Sequence, residues 1–269
     1  GIVVDPMKSA DDAMQMVILG VCVTIMMESA LITVQLEAQK AELWLQDLGE
    51  ILRSGKCPSG VASKFAGRLA FAVCRGTDRC GRAYLKPWFA QAAAPKQYDH
   101  ITPQLAWACR WWMIFLETRP AKRVHAHMSL RRHVVTWSDA SGLSRRLAGF
   151  IRVDGVYLWT EATVPDYVWD QLLDRQDNQI GFQEMLAVVM MAETFASELK
   201  GSLWSCFIDN QGVLMAIVKE ACRSPGANYA VANLWLRMTV GKIGLQALRV
   251  ESRASVADGP TRDEYRMVQ

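Results

Sequence analysis

The sequence predicts an α/β protein, in which a mixed five-stranded sheet flanked by helices follows a helical domain and a small β element. Three observations predict it. Residues 37–118 carry apolar positions at helical spacing and little strand patterning. From Val134 onward, β-branched and aromatic runs alternate with helix-length periodic stretches. Asp154-Gly155 stands between two apolar runs, a strong two-residue hairpin signal.

Taken in order, Ile2–Val4 is a short apolar run and Asp5-Pro6 a turn signal. Ala13–Met27 is the most apolar stretch and reads as buried strands. It is too short to span a bilayer comfortably. Asp5, Asp11 and Asp12 precede it, where a signal peptide would carry basic residues. Val17–Ile25, with Gly20 inside it, and Leu31–Leu36 read as a hairpin. A hairpin alone is not stable, so residues 1–36 must pack on the helices that follow or on missing residues. Gly1 in place of Met reads as a fragment.

Four helical pieces follow. Lys40–Arg53 places Leu43, Leu48, Ile51 and Leu52 near one face, with Gly55 as C-terminal cap. Ser59–Val73 carries Val61, Phe65, Leu69 and Val73, and Gly67 within it suggests close backbone packing. Gly81–Phe89 is shorter, limited by Pro87. Gln104–Glu117 contains Trp107, Trp111 and Trp112, which read as inter-helix core, with a base-stacking platform as the alternative. Residues 119–133 hold Arg119, Lys122, Arg123, Arg131, Arg132 and three histidines with no acid, and read as a basic linker. His125 and His127 are metal-ligand candidates, but no cysteine or carboxylate stands at ligand spacing, which favours a solvated loop.

The C-terminal domain, 134–269, opens on strand Val134–Ser138. Gly149–Val153 and Val156–Thr163 form the hairpin. Gln183–Leu199 reads as an amphipathic helix, Leu203–Ile208 as the fourth strand, and Asn210 as the cap of a helix near Val213–Cys222. Ser224-Pro225-Gly226 interrupts it, Asn228–Val240 continues helical, Leu245–Val250 is the fifth strand, and Ala257–Arg266 a short final helix.

The net charge of +3 hides an asymmetry. Residues 51–133 carry 15 Lys/Arg and 3 Asp/Glu, a local +12, whereas residues 134–269 carry 13 and 16, a local −3. That suits a phosphate-gripping module joined to a metal-binding one, against the blander reading of a solvated helical surface. Seven cysteines without a CxxC pair argue for a reducing compartment and against structural zinc. The expected location is intracellular, cytoplasmic or nuclear, with no membrane partner.

Four carboxylates stand at element ends: Asp139 after the first strand, Glu184 opening a helix, Asp209 ending the fourth strand and Asp258 near the C-terminus. One acid beside an apolar run is usually a cap or turn residue. Four from separate elements suggest a divalent-metal site that cuts phosphodiesters.

The element order and these motifs resemble the ribonuclease H fold. TWSDASG is similar to that family's first-strand aspartate, FQEMLAV to its helix-opening glutamate and FIDNQG to its fourth-strand aspartate. VESRASVADGPTR resembles the closing AD-x-x-(S/T)-R motif of retroelement ribonuclease H domains. Upstream, GIVVDPMKS followed by VILGVCV resembles the end of a reverse transcriptase palm. SKFAGRLAFA followed by GRAYLKP resembles the thumb or connection region of tyrosine-recombinase-type retroelements. The palm's paired-aspartate motif and the fingers are absent, so polymerase activity is not expected. The loop Glu251–Val256 lacks the histidine many relatives place there, which implies slower product release.

The resemblance implies a palm-like β remnant (1–36), a thumb/connection-like helical domain (37–118), a basic linker (119–133) and a ribonuclease H-like domain (134–269). It implies that Asp139, Glu184, Asp209 and Asp258 are catalytic and hold two Mg²⁺ about 4 Å apart, with Mn²⁺ as a substitute. The implied substrate is the RNA strand of an RNA–DNA hybrid, selected by its 2′-OH and shape. Ser141, Asn210 and Gln211 are candidate backbone contacts, and equally local cap or turn residues. Arg68, Arg82 and Lys86 would grip the duplex. A missing polymerase palm and fingers, or a partner polymerase chain, is the implied protein partner. The rival readings are a non-cutting nucleic-acid-binding remnant, a scaffold for a polymerase, and a DNA nuclease of the same fold.

Overall fold

The computed structural model describes residues 13–18, 20–76, 80–125, 131–142, 144–173, 179–222, 224–251 and 255–261. The expected strand Ile2–Val4, the turn at Asp5-Pro6, His127 and the end of the expected last helix lie outside them. The chain forms two compact units, Gly1–Leu130 and Arg131–Gln269.

In the first unit, β1 (Ala13–Ile18), β2 (Val21–Met26), β3 (Leu31–Leu36) and β4 (Lys122–His125) form an antiparallel sheet in that order. Gly20, with φ of 80°, turns the chain where one continuous strand was expected. Val21, Cys22, Leu31 and Leu36 are buried, but Met14, Val17 and Ile18 are exposed, so this apolar stretch is not buried throughout. The expected linker 119–133 is corrected in the same sheet. Lys122–His125 pairs with β3: Lys122 is half-buried and Arg123 and Val124 are exposed, so the backbone completes the ladder without burying a cation.

The helices are α1 (Ala38–Ser54), α2 (Ser59–Gly76), α3 (Lys86–Ala92) and α4 (Pro103–Thr118). Gly55 caps α1 in the left-handed conformation, as its position predicts. The buried face of α1 is Ala41, Trp44, Leu48 and Ile51, whereas Leu43 is exposed. Pro87 stands in the first turn of α3, where a missing N–H costs nothing, and does not end the helix. Trp111 and Trp112 are buried, but Trp107 is exposed. Gly67 is exposed with nothing near it, so close packing is not its role.

The second unit is built on a five-stranded mixed sheet flanked by helices. Its strands are β5 (His133–Ala140), β6 (Arg146–Val153), β7 (Val156–Thr163), β8 (Leu203–Ile208) and β9 (Gly244–Arg249), in the order β7-β6-β5-β8-β9. β5, β6 and β7 are an antiparallel meander, turned at Asp154 (φ 50°) and Gly155 (φ 83°), the positive pair a tight hairpin needs. β8 and β9 run parallel to β5, which places β5 at the centre.

The helices are α5 (Asp166–Leu173), α6 (Gln179–Thr194), the single turn α7 (Ala196–Leu199), α8 (Gln211–Lys219), α9 (Pro225–Gly241) and the short α10 (Asp258–Thr261). Met185, Val188, Met191 and Leu199 meet Val134, Ile151, Trp204, Cys206 and Val231 in the main core. α6 is not amphipathic in the expected sense. It begins at Gln179 rather than Gln183, and it buries Gln183, Glu184, Met185, Ala187, Val188, Met191 and Ala192. A Cβ on Gly149 of β6 would stand 2.2 Å from Met191 Sδ and 3.0 Å from the Trp137 carbonyl oxygen, so this glycine lets α6 settle close against the sheet. Among the described residues, no helix is long and apolar enough to cross a membrane.

Candidate metal and nuclease site

Asp139 is the seventh residue of β5, inside the strand rather than past its end. Its side chain is buried, and Oδ2 accepts a 2.8 Å hydrogen bond from Thr261 Oγ1 at the end of α10. The Thr261 carbonyl accepts in turn from Ser144 Oγ at 3.2 Å. The central strand, the loop after it and the closing helix are thereby tied together at one carboxylate.

Glu184 stands in the second turn of α6, because the helix starts earlier than the sequence suggests. It is buried, and Oε1 accepts from Asn210 Nδ2 at 3.2 Å. Its other oxygen, Oε2, is buried and meets no donor among the described residues. Burial pushes the Glu184 carboxyl up to about 8, and the charges of Asp209 and Asp139 push it in the same direction. Asn210 works against them by hydrogen-bonding the ionised form. Among the described residues, no cation acts on Glu184.

Asp209 follows β8 directly and is half-buried. β8 lies parallel to β5, so its C-terminal end falls on the side of the sheet where Asp139 stands. Asn210 caps α8, accepting from the N–H groups of Gly212 (2.8 Å) and Val213 (3.2 Å), the role its position predicts. Three of the four expected acids thus come together at one end of the sheet: Asp139 from the central strand and Asp209 just after β8 both act on Glu184 of α6. Asp258 begins α10, and its side chain lies outside the described residues.

A buried carboxyl that two aspartates push upward, with one oxygen meeting no donor among the described residues, is what an oxygen-ligated divalent ion would relieve. The donor set therefore fits Mg²⁺ or Mn²⁺. Among the described side chains, no three His, Cys, Asp or Glu converge tightly enough to form a finished cage.

The remaining candidates divide. Ser141 Oγ accepts from the Ser144 N–H at 3.3 Å, a turn contact, and Gln211 is the exposed first residue of α8. In the other unit, Arg68 on α2 pairs with Asp47 at 3.0 Å and lies 5.3 Å from the centroid of the Phe65 ring. Arg68 and Asp47 line a cleft of about 420 Å³ with Glu50, Lys56 and Lys64, walls of mixed charge. Arg82 and Lys86 are exposed one turn apart, in a 3₁₀ turn and at the start of α3.

Sequence reasoning missed Thr261 and Gly149. Thr261 falls inside the ADGPTR stretch, a signal for an acid-supporting hydroxyl. Gly149 interrupts an apolar strand, a signal for close approach. Neither a protein-family model nor a curated protein matches this chain.

Proposed function

We propose that residues 131–269 form a ribonuclease H-like, metal-dependent endonuclease that hydrolyses the RNA strand of RNA–DNA hybrids, within a protein derived from a reverse transcriptase. The observation that carries this reading is that Asp139 from β5 and Asp209 from the end of β8 both act on the buried Glu184 of α6, at one end of the sheet. The strand order β7-β6-β5-β8-β9, a meander followed by two parallel strands, supports it.

In this reading Asp139, Glu184, Asp209 and Asp258 hold Mg²⁺ or Mn²⁺. When bound there, the ions supply Lewis-acid activation of water and charge neutralisation at the leaving oxygen. Thr261 keeps the Asp139 carboxylate oriented, and Asn210 does so for Glu184. The basic surface of residues 51–133, with Arg68, Arg82 and Lys86, holds the duplex. The first unit is then the thumb/connection-like region with its palm-like strands, and the natural protein partner is a polymerase palm and fingers, on this or another chain.

The test is a cleavage assay of the full chain on an end-labelled RNA–DNA hybrid, a DNA duplex and an RNA duplex, each with Mg²⁺, Mn²⁺ or EDTA. Cutting confined to the RNA strand of the hybrid and abolished by EDTA is expected. Binding of hybrid without cutting under either metal would instead favour the non-catalytic remnant, and cutting of duplex DNA the DNA-nuclease reading.

A further inference from the structure

Asn210 invites two roles, a contact to the nucleic-acid backbone or a helix cap. Its hydrogen bonds fix the side chain in one orientation. Two backbone donors, Gly212 N–H and Val213 N–H, converge on Oδ1, which must therefore be the oxygen. Nδ2 is then turned toward α6, where it donates to Glu184 Oε1 at 3.2 Å. The contact bridges 26 positions of sequence and links the β8–α8 junction to α6. It occupies one oxygen of Glu184 and leaves the other, Oε2, buried and without a donor among the described residues.

We infer that Asn210 is a positioning residue for Glu184 and not a substrate contact. This inference rests on the metal-site reading above. Only Asn meets both demands at this position. Ser, Thr and Asp supply the cap oxygen equally well but have no donor for a carboxylate. Gln carries the same amide on a longer stem, which does not suit the short reach of the cap. Asn210 holds Glu184 with one oxygen presented to a cation and fixes α6 relative to the strand end that carries Asp209. Outer-shell partners of this kind commonly account for ten- to a hundred-fold in metal affinity.

The experiment compares the full-length protein with Asn210→Ser, which keeps the cap and loses the donor. Three quantities are read: the melting temperature in EDTA, Mn²⁺ affinity by calorimetry without nucleic acid, and affinity for an RNA–DNA hybrid in EDTA. The inference predicts that Mn²⁺ affinity falls roughly tenfold or more, with hybrid affinity unchanged and the fold retained. Unchanged Mn²⁺ affinity with weakened hybrid binding would overturn it and make Asn210 a substrate contact. Unchanged values of both would also overturn it, leaving Asn210 a cap only. If the unaltered protein binds no Mn²⁺, the metal-site reading itself fails and this inference with it. Should Asn210→Ser not fold, Asn210→Asp is the second variant: it keeps the cap, lacks the donor, and is likewise predicted to leave hybrid affinity unchanged while altering Mn²⁺ affinity.

Discussion

Glu184 titrates near neutrality because it is buried and because two aspartates act on it. Its folded pKa, about 8, lies above the ordinary carboxylate value of 4.5. Between those values the native state holds a proton that the unfolded chain has released, so stability falls as pH rises through that window. Metal-free protein should therefore melt lower at pH 8 than at pH 5 from this group. Mg²⁺ should raise the melting temperature more at pH 8 than at pH 5, because at pH 8 about half of the molecules hold no Glu184 proton for the ion to displace, whereas at pH 5 nearly all hold one. Asp139→Asn keeps an oxygen for Thr261 and removes a charge, so it should raise the metal-free melting temperature at pH 8, by roughly 2–4 °C per kcal/mol of relieved repulsion. Thermal melts in EDTA with and without Mg²⁺ at the two pH values check this. A lowered metal-free melting temperature for Asp139→Asn would mean that the acids do not repel one another. The elements that carry these acids were legible because each acid stands beside an apolar run, although Asp139 lies inside β5 and Glu184 a turn deeper in α6 than the runs suggest. The Thr261 and Asn210 contacts were not, because they join residues 122 and 26 positions apart, and spacing reports only local neighbours.

At the scale of elements, the approach of α6 to the sheet decides where Glu184 lies. Gly149→Ala would drive a Cβ into Met191 Sδ and against the Trp137 carbonyl, in a core where Met191 is fully buried. It should destabilise by about 1–3 kcal/mol, the usual cost of overpacking. Denaturant unfolding measures it, and a neutral result would show that α6 has room to give. The strands β6, β7 and β8 were legible to within a few residues, because the Asp-Gly turn and the apolar runs delimit them. The start of α6 was not: burial on several faces hides a 3.6-residue period. α5 was missed although Val168, Trp169, Leu172 and Leu173 stand at helical spacing behind Pro165, because it is only eight residues long. The break between β1 and β2 hangs on Gly20, which within an apolar run is compatible with either a strand or a turn.

For the whole molecule, the charge asymmetry carries a prediction of its own. Arg82 and Lys86 are exposed, and Arg68 must exchange Asp47 for a phosphate to take part. Reversing all three charges should weaken hybrid binding and flatten its salt dependence, with the slope falling by roughly one per lost phosphate contact. An unaltered slope in the triple variant would move the binding face elsewhere. The division into a basic and an acidic part was legible from charge alone. The part played by Lys122–His125 was not, because four residues rich in cations look like a linker until β3 supplies their backbone partners. The nuclease reading itself turns on Asp209, which directly follows β8 beside the central strand. Asp209→Asn keeps the side chain's shape and removes one ligand charge, while the basic surface is untouched. The decisive measurement is RNA-strand cleavage of a hybrid across several Mg²⁺ and Mn²⁺ concentrations, with binding measured in parallel, for the unaltered protein, Asp209→Asn and the exposed control Asp170→Asn. The expected result is hybrid binding by all three and a loss of cleavage, about a hundred-fold or more, in Asp209→Asn alone; near-normal cleavage by Asp209→Asn would contradict the metal site.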